Sequence, residues 1–164
     1  MKHILVTVVT IALGLAVAQA PAAEKVKETD WQVLFVTDGE FEEVKENIEL
    51  AITGQGLVID GVATVGTMLE RTKEDLGFKK HIYGAGDVFE FCSALLSRKM
   101  MEADPTNLVF CPYTIQVYNV PEEPGKVYVG YRRSQLVGND ASKAALKEVD
   151  DLLAAIVKEG IGWE

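Results

Sequence analysis

The chain has 164 residues, 25 acids against 16 Lys and Arg, and a net charge of −9. So acidic a chain, with no Lys/Arg cluster, argues against nucleic acid and against an anionic membrane surface, since neutralising phosphates needs basic side chains. With two cysteines and one histidine beyond residue 3, it also has few residues for a multi-ligand metal centre or a histidine-based catalytic triad.

Lys2 and His3 give a basic start, and Ile4–Ala18 is an uncharged run of fifteen residues. A bilayer span needs roughly 20. Basic start, short apolar run and small-residue exit together predict a secretory signal peptide over residues 1–22. Ala18-Gln19-Ala20 and Ala20-Pro21-Ala22 both fit the small-x-small rule. The second is preferred, because the first leaves Pro21 just after the cut. The expected product is periplasmic or secreted, with no stable membrane insertion. Removing one Lys and no acid takes the charge to −10. A flexible leader, 23–30, then precedes one domain over 31–164, a length that supports a single core.

Trp31–Thr37 is β-branched and aromatic and predicts a strand. Asp38-Gly39 turns the chain. Phe41, Val44, Ile48 and Ile52 then fall on one helical face, with Glu40, Glu42 and Glu43 at the end where the dipole favours negative charge. Gly54 and Gly56 stop that helix. Leu57–Val65 predicts a second strand with a bulge at Gly61. Met68–Leu76 predicts a short helix, and Tyr83–Phe91 a third strand. Ser93 is a suitable N-cap for a helix running to Glu102. Leu108–Val120 predicts the longest strand, turned at Pro121–Gly125 into a hairpin partner, Lys126–Arg133. Asn139-Asp140 starts a last helix with Leu146, Val149, Leu153 and Ile156 at helical spacing. The order β-α-β-α-β-α-β-β-α predicts an α+β fold, an antiparallel sheet with helices packed on one face.

Alternation along the hairpin turns Val109, Cys111, Tyr113, Ile115 and Val117 one way, with Val127 and Val129. This apolar set should pack under the helices. Phe110, Thr114, Gln116, Tyr118, Tyr128 and Arg132 turn the other way. Phe110, Tyr118, Tyr128 and Arg132 are therefore candidates for a small-molecule ligand or for a second copy in a homodimer. Cover by the leader or by the loop at 134–140 is the competing reading.

Cys92 and Cys111, in an exported chain, point first to a structural disulfide. Two buried free thiols are the bland alternative. Cys92 at a helix start could instead carry a lowered pKa and act as a redox or sulfur-handling thiol, with Cys111 resolving it. A soft-metal site for Cu or Zn would draw on His81, Cys92, Met100 and Cys111, though their spacing matches no standard signature. No Gly-x-Ser-x-Gly elbow or phosphate loop is present, so no catalytic residue and no cofactor is expected.

Phe91-Cys92-Ser93-Ala94, Met100-Met101-Glu102-Ala103-Asp104-Pro105 and Asn107–Tyr113 together resemble the family known as domain of unknown function 302, over roughly Phe35–Leu136. The early amphipathic helix (Val44–Gly56), the connector Met68–Gly77, and a cysteine before a helix ending in acid-Asp-Pro are similar to that family's order. The resemblance implies a fold like the TATA-box-binding protein, without implying DNA binding, and it brings no activity. The family pattern has Cys-Asn-Pro where Cys92-Ser93-Ala94 stands, and Pro-Cys where Cys111-Pro112 stands. In a strand, that second exchange would turn the thiol to the opposite face. The function expected is an exported, non-catalytic ligand-binding or accessory protein.

Overall fold

A computed structural model describes residues 23–163; the signal-peptide expectation for 1–22 lies outside them. The chain forms six strands: β1 (Glu24–Glu28), β2 (Gln32–Asp38), β3 (Val58–Ala63), β4 (Ala85–Cys92), β5 (Tyr113–Asn119) and β6 (Lys126–Arg132). They form one sheet in the order β1-β2-β6-β5-β4-β3, and every neighbouring pair is antiparallel. The helices are α1 (Phe41–Gly54), α2 (Val65–Thr72), α3 (Ala94–Ala103) and α4 (Asp140–Gly160), with a 3-10 helix over Pro105–Phe110. The α+β expectation stands, with a sheet packed against helices.

Alternation decides the faces. Val33 and Phe35, Phe89 and Phe91, Tyr113, Ile115 and Val117, and Val127, Val129 and Tyr131 are buried on the inner face. Against them lie Phe41, Val44, Ile48 and Ile52 of α1, Leu96 and Met100 of α3, and Leu146, Val149, Leu153 and Ile156 of α4. The α1 and α4 sets are the helical stripes read from the sequence. Ser93 caps α3 by accepting from Leu96 N at 3.3 Å, and Asn139 caps α4 by accepting from Ser142 N at 2.8 Å. The register between β3 and β4 shifts between Ile59 and Gly61, so the bulge falls where Gly61 placed it.

Three expectations are corrected. The leader is not loose: Glu24–Glu28 pairs with β2 as an exposed edge strand. Charged side chains are a usual guard on such an edge. The helix expected at Met68–Leu76 starts earlier, at Val65, and ends at Thr72. Most consequential, Leu108–Val120 is not one strand. Residues 105–110 wind into the 3-10 helix, and β5 starts only at Tyr113, after a cis Cys111–Pro112 peptide.

The cause of this last difference is local. The Asp104 carboxylate accepts from Thr106 N at 2.8 Å and Thr106 Oγ1 at 2.7 Å. Pro105 has its φ already set for a helical first turn. Buried Asn107 then donates to Met100 O at 2.9 Å and Ser142 Oγ at 2.6 Å, tying the turn to α3 and α4. These fixed hydrogen bonds override the strand propensity of Val109, which is left 74% exposed.

The inner-face tyrosines give a pH prediction. Burial pushes the phenols of Tyr113 and Tyr131 from an ordinary 10.0 up to about 12. A folded pKa above the unfolded one means stability is fully present below about pH 10 and is lost as pH climbs toward 12. Phenolate absorbance followed together with circular dichroism should show these two tyrosines ionising only as the fold is lost. Ionisation of every tyrosine near pH 10 in a still-folded chain would contradict it.

Candidate functional site

The outer face of the sheet is the side that α1, α3 and α4 leave free. Its residues follow from the register: Leu34 opposes Gly130, Gln116 opposes Gly130 and Val88, and Tyr118 opposes Tyr128 and Gly86. The pairing of Tyr118 with Tyr128 brings their rings to 5.1 Å between centroids at 9°, a stacked pair. Tyr83, just before β4, meets Tyr118 edge-on at 5.3 Å and 64°. Both rings pack over Gly86, where a Cβ would make ordinary contacts of 3.4 Å with the Tyr83 ring and 3.5 Å with Tyr118 Cβ. The tyrosine ladder borders a cavity of about 310 Å³ whose walls include Gln32, Val65, Tyr83, Val88, Gln116 and Tyr118. Two amides and two aromatic rings, with Asp87 also in the lining, suit a small ligand with hydrogen-bonding groups.

The four binding-face candidates are only partly brought together. Tyr118 and Tyr128 stack as described. Tyr128 also donates from its hydroxyl to Glu123 Oε2 at 2.6 Å, and that bond pushes its phenol up to about 12. Arg132 lies on the same face toward its other end, with Nη2 3.5 Å from Pro112 O. Phe110 is removed from the face, because the 3-10 helix takes it out of the strand. Tyr83 and Gln32 were missed as candidates. The aromatic at the entry to β4 was the available signal for Tyr83.

The chain does not supply its own cover from the two expected segments. β1 extends the sheet at its edge. The segment after β6 runs toward α4: Arg133 bonds the Asp150 carboxylate at 2.9 Å, and Gln135 Nε2 donates to Asp30 O at 2.5 Å.

Cys92 ends β4 and Cys111 follows the 3-10 helix, and both are free and half-buried. Burial pushes the Cys92 thiol up to about 11, and the neighbouring Cys111 adds to the shift by hydrogen bonding and by charge. The direction is opposite to the lowered pKa expected at a helix start. The reason is burial first and the neighbouring thiol second, against a single lowering contribution from a hydrogen bond with the Tyr113 backbone. Ser97 Oγ lies 3.4 Å from Cys111 Sγ and 3.2 Å from Tyr113 OH, so α3 and β5 both position Cys111.

The weak metal candidates do not form one group. His81 is exposed, with Nδ1 2.9 Å from Glu70 Oε2 and Nε2 3.0 Å from Lys73 Nζ. Met100 is fully buried in the core. Among the described residues, no three or more His, Cys, Asp or Glu side chains are placed to hold a metal ion.

One inner-face charge was also missed. Asp87 sits in β4 two residues before Phe89, and its Oδ2 is 2.6 Å from Lys45 Nζ of α1. That bond raises the Lys45 pKa. An acid at an inward position of a strand was the signal in the sequence.

Fold and site together define an α+β protein with an antiparallel sheet, helices on its inner face, and an aromatic outer face. The chain belongs to the family described as domain of unknown function DUF302, whose model matches residues 34–160. A solved structure, that of an uncharacterized conserved DUF302 protein from Bacillus stearothermophilus, is similar with a TM-score of 0.62. It shares 19% identity and covers 77% of this chain and 96% of its own, a likeness of fold. No curated protein matches.

Proposed function

We propose that this is an exported, non-catalytic binding or accessory protein that takes a small molecule, or a second copy of itself, on the outer face of its sheet. The observation that carries the reading is the Tyr83–Tyr118–Tyr128 ladder beside a cavity of about 310 Å³. Large aromatic surface at a solvent-facing site is the usual anchor of a recognition surface. Residues 1–22, with a basic start and a short apolar run, support export to the periplasm or medium.

The test is a fragment screen by amide chemical-shift mapping on the mature chain, using neutral sugars and planar amide compounds as probes. Shifts at Gly86, Val88, Gln116 and Tyr118 are expected, and Tyr118→Ala should weaken a hit at least tenfold. Light scattering on the same sample reads the homodimer alternative, whose signature is a doubled mass that Tyr118→Ala returns to monomer. Hits confined to other surfaces, with a monomeric chain, would sink the reading.

A second reading, a thiol redox or sulfur-handling protein, draws on the nearness of Cys92 and Cys111. The direction of the Cys92 shift weakens it, since an attacking thiol works as thiolate and this one is held protonated at neutral pH. Slow alkylation of Cys92 in the reduced chain at neutral pH, at or below the rate of a free thiol, is the expected result.

A further inference from the structure

We infer that Cys92 and Cys111 are the two halves of an intramolecular disulfide, closed by exchange with a small disulfide oxidant, and that this bond fastens α3 and the 3-10 helix to the sheet. The inference is independent of the binding-face reading. It starts from register: Phe91 opposes Tyr113 across β4 and β5. Cys92 is the next residue along one strand, and Cys111 lies two residues before the start of the other. The thiols are close enough for Cys111 to perturb Cys92 directly, and Ser97 holds Cys111 at this corner. Both are half-buried, so a small reagent reaches them.

Chemistry selects the disulfide over a thiolate–metal pair. Two thiolates on a monovalent soft cation leave a net negative charge, and Asp60 adds to the negative field at Cys92. Burial opposes that charge. A disulfide removes both ionisable groups and is neutral. In the reaction, the two cysteine S–H bonds and the S–S bond of oxidised glutathione are exchanged for the Cys92–Cys111 bond and two glutathione thiols. The protein gives up two electrons and two protons, and the oxidant takes them.

The segment so closed holds α3, which packs on α4, and the turn that Asn107 ties to α4. A loop of about 20 residues gives a stabilisation that should appear as a melting temperature roughly 10 °C higher in the oxidised chain.

The experiment equilibrates the full mature chain with reduced and oxidised glutathione under native conditions, quenches with acid, alkylates in denaturant and reads the intact mass. The expected product is lighter than the reduced chain by two hydrogen atoms and carries no alkyl label. Reduction should restore two labels and lower the melting temperature. The same buffer with denaturant should give a smaller oxidised fraction, because the folded chain is what brings the sulfurs together. Cys92→Ser and Cys111→Ser should each abolish the temperature difference, and the wild-type masses decide the matter even if a variant does not fold. Two labels at the most oxidising ratio, or glutathione attached to one cysteine without an internal bond, would overturn the inference. Protection of both thiols by copper(I) alone would overturn it in favour of a metal site.

Discussion

Lys45→Met is expected to destabilise the protein by about 3 kcal/mol, more than a surface lysine would ever cost. The Asp87 side chain is 9% exposed and faces the helix layer, and its ammonium partner lies 2.6 Å away. Without Lys45 the carboxylate keeps its burial and loses its compensation. Breaking a buried pair from one side costs about 3–5 kcal/mol, and the lower end applies here because Lys45 retains a quarter of its exposure. The double replacement Lys45→Met/Asp87→Leu should recover most of the loss, because it removes both desolvated charges together. Urea unfolding reads both effects as shifts of midpoint at constant slope. An additive double mutant would mean that the two side chains do not act as a pair. The raised Lys45 pKa also works with the buried tyrosines: its stabilisation is complete below about pH 10.5 and is lost as the pH climbs above it.

The helix stripes of α1 and α4 and the inner faces of β5 and β6 were legible because burial imposes a period, and a period survives in one dimension. Phe41, Val44, Ile48 and Ile52 could only be one face of a helix, and that face is buried. The 3-10 helix was not legible. Its cause is a set of side-chain bonds from Asp104 and Asn107, one of them reaching Ser142 of α4, 35 residues away. Residues 108–110 read as strand by propensity, so Phe110 was assigned to a face it does not occupy. The tyrosine ladder was half legible. Tyr118 and Tyr128 are cross-strand neighbours that the hairpin turn places together, whereas Tyr83 joins them from the segment before β4, by an edge-on contact that no strand register encodes. Cys92 and Cys111 were read as partners from compartment and count, and the fold brings them to one corner of the sheet as two free thiols. The expected lowering of the Cys92 pKa is reversed, because burial and the neighbouring thiol raise it.

Phe89→Ala is expected to cost about 3–5 kcal/mol, and Val88→Ala, one residue earlier, about 1 kcal/mol or less. Phe89 is fully buried on the inner face, opposite Ile115 on one side and Val62 on the other. Its removal leaves a cavity that neither strand can close without breaking its ladder. Val88 points the other way and is half-exposed beside the outer cavity, so its truncation changes the surface offered to a ligand more than it changes the core. The contrast bears on function. If the outer face were a second core waiting only for the chain's own cover, the two truncations would cost similar amounts. The proposed binding face requires a steep difference between these adjacent residues, since it leaves Val88 with little part in holding the chain together. Equal losses at the two positions would argue against that proposal.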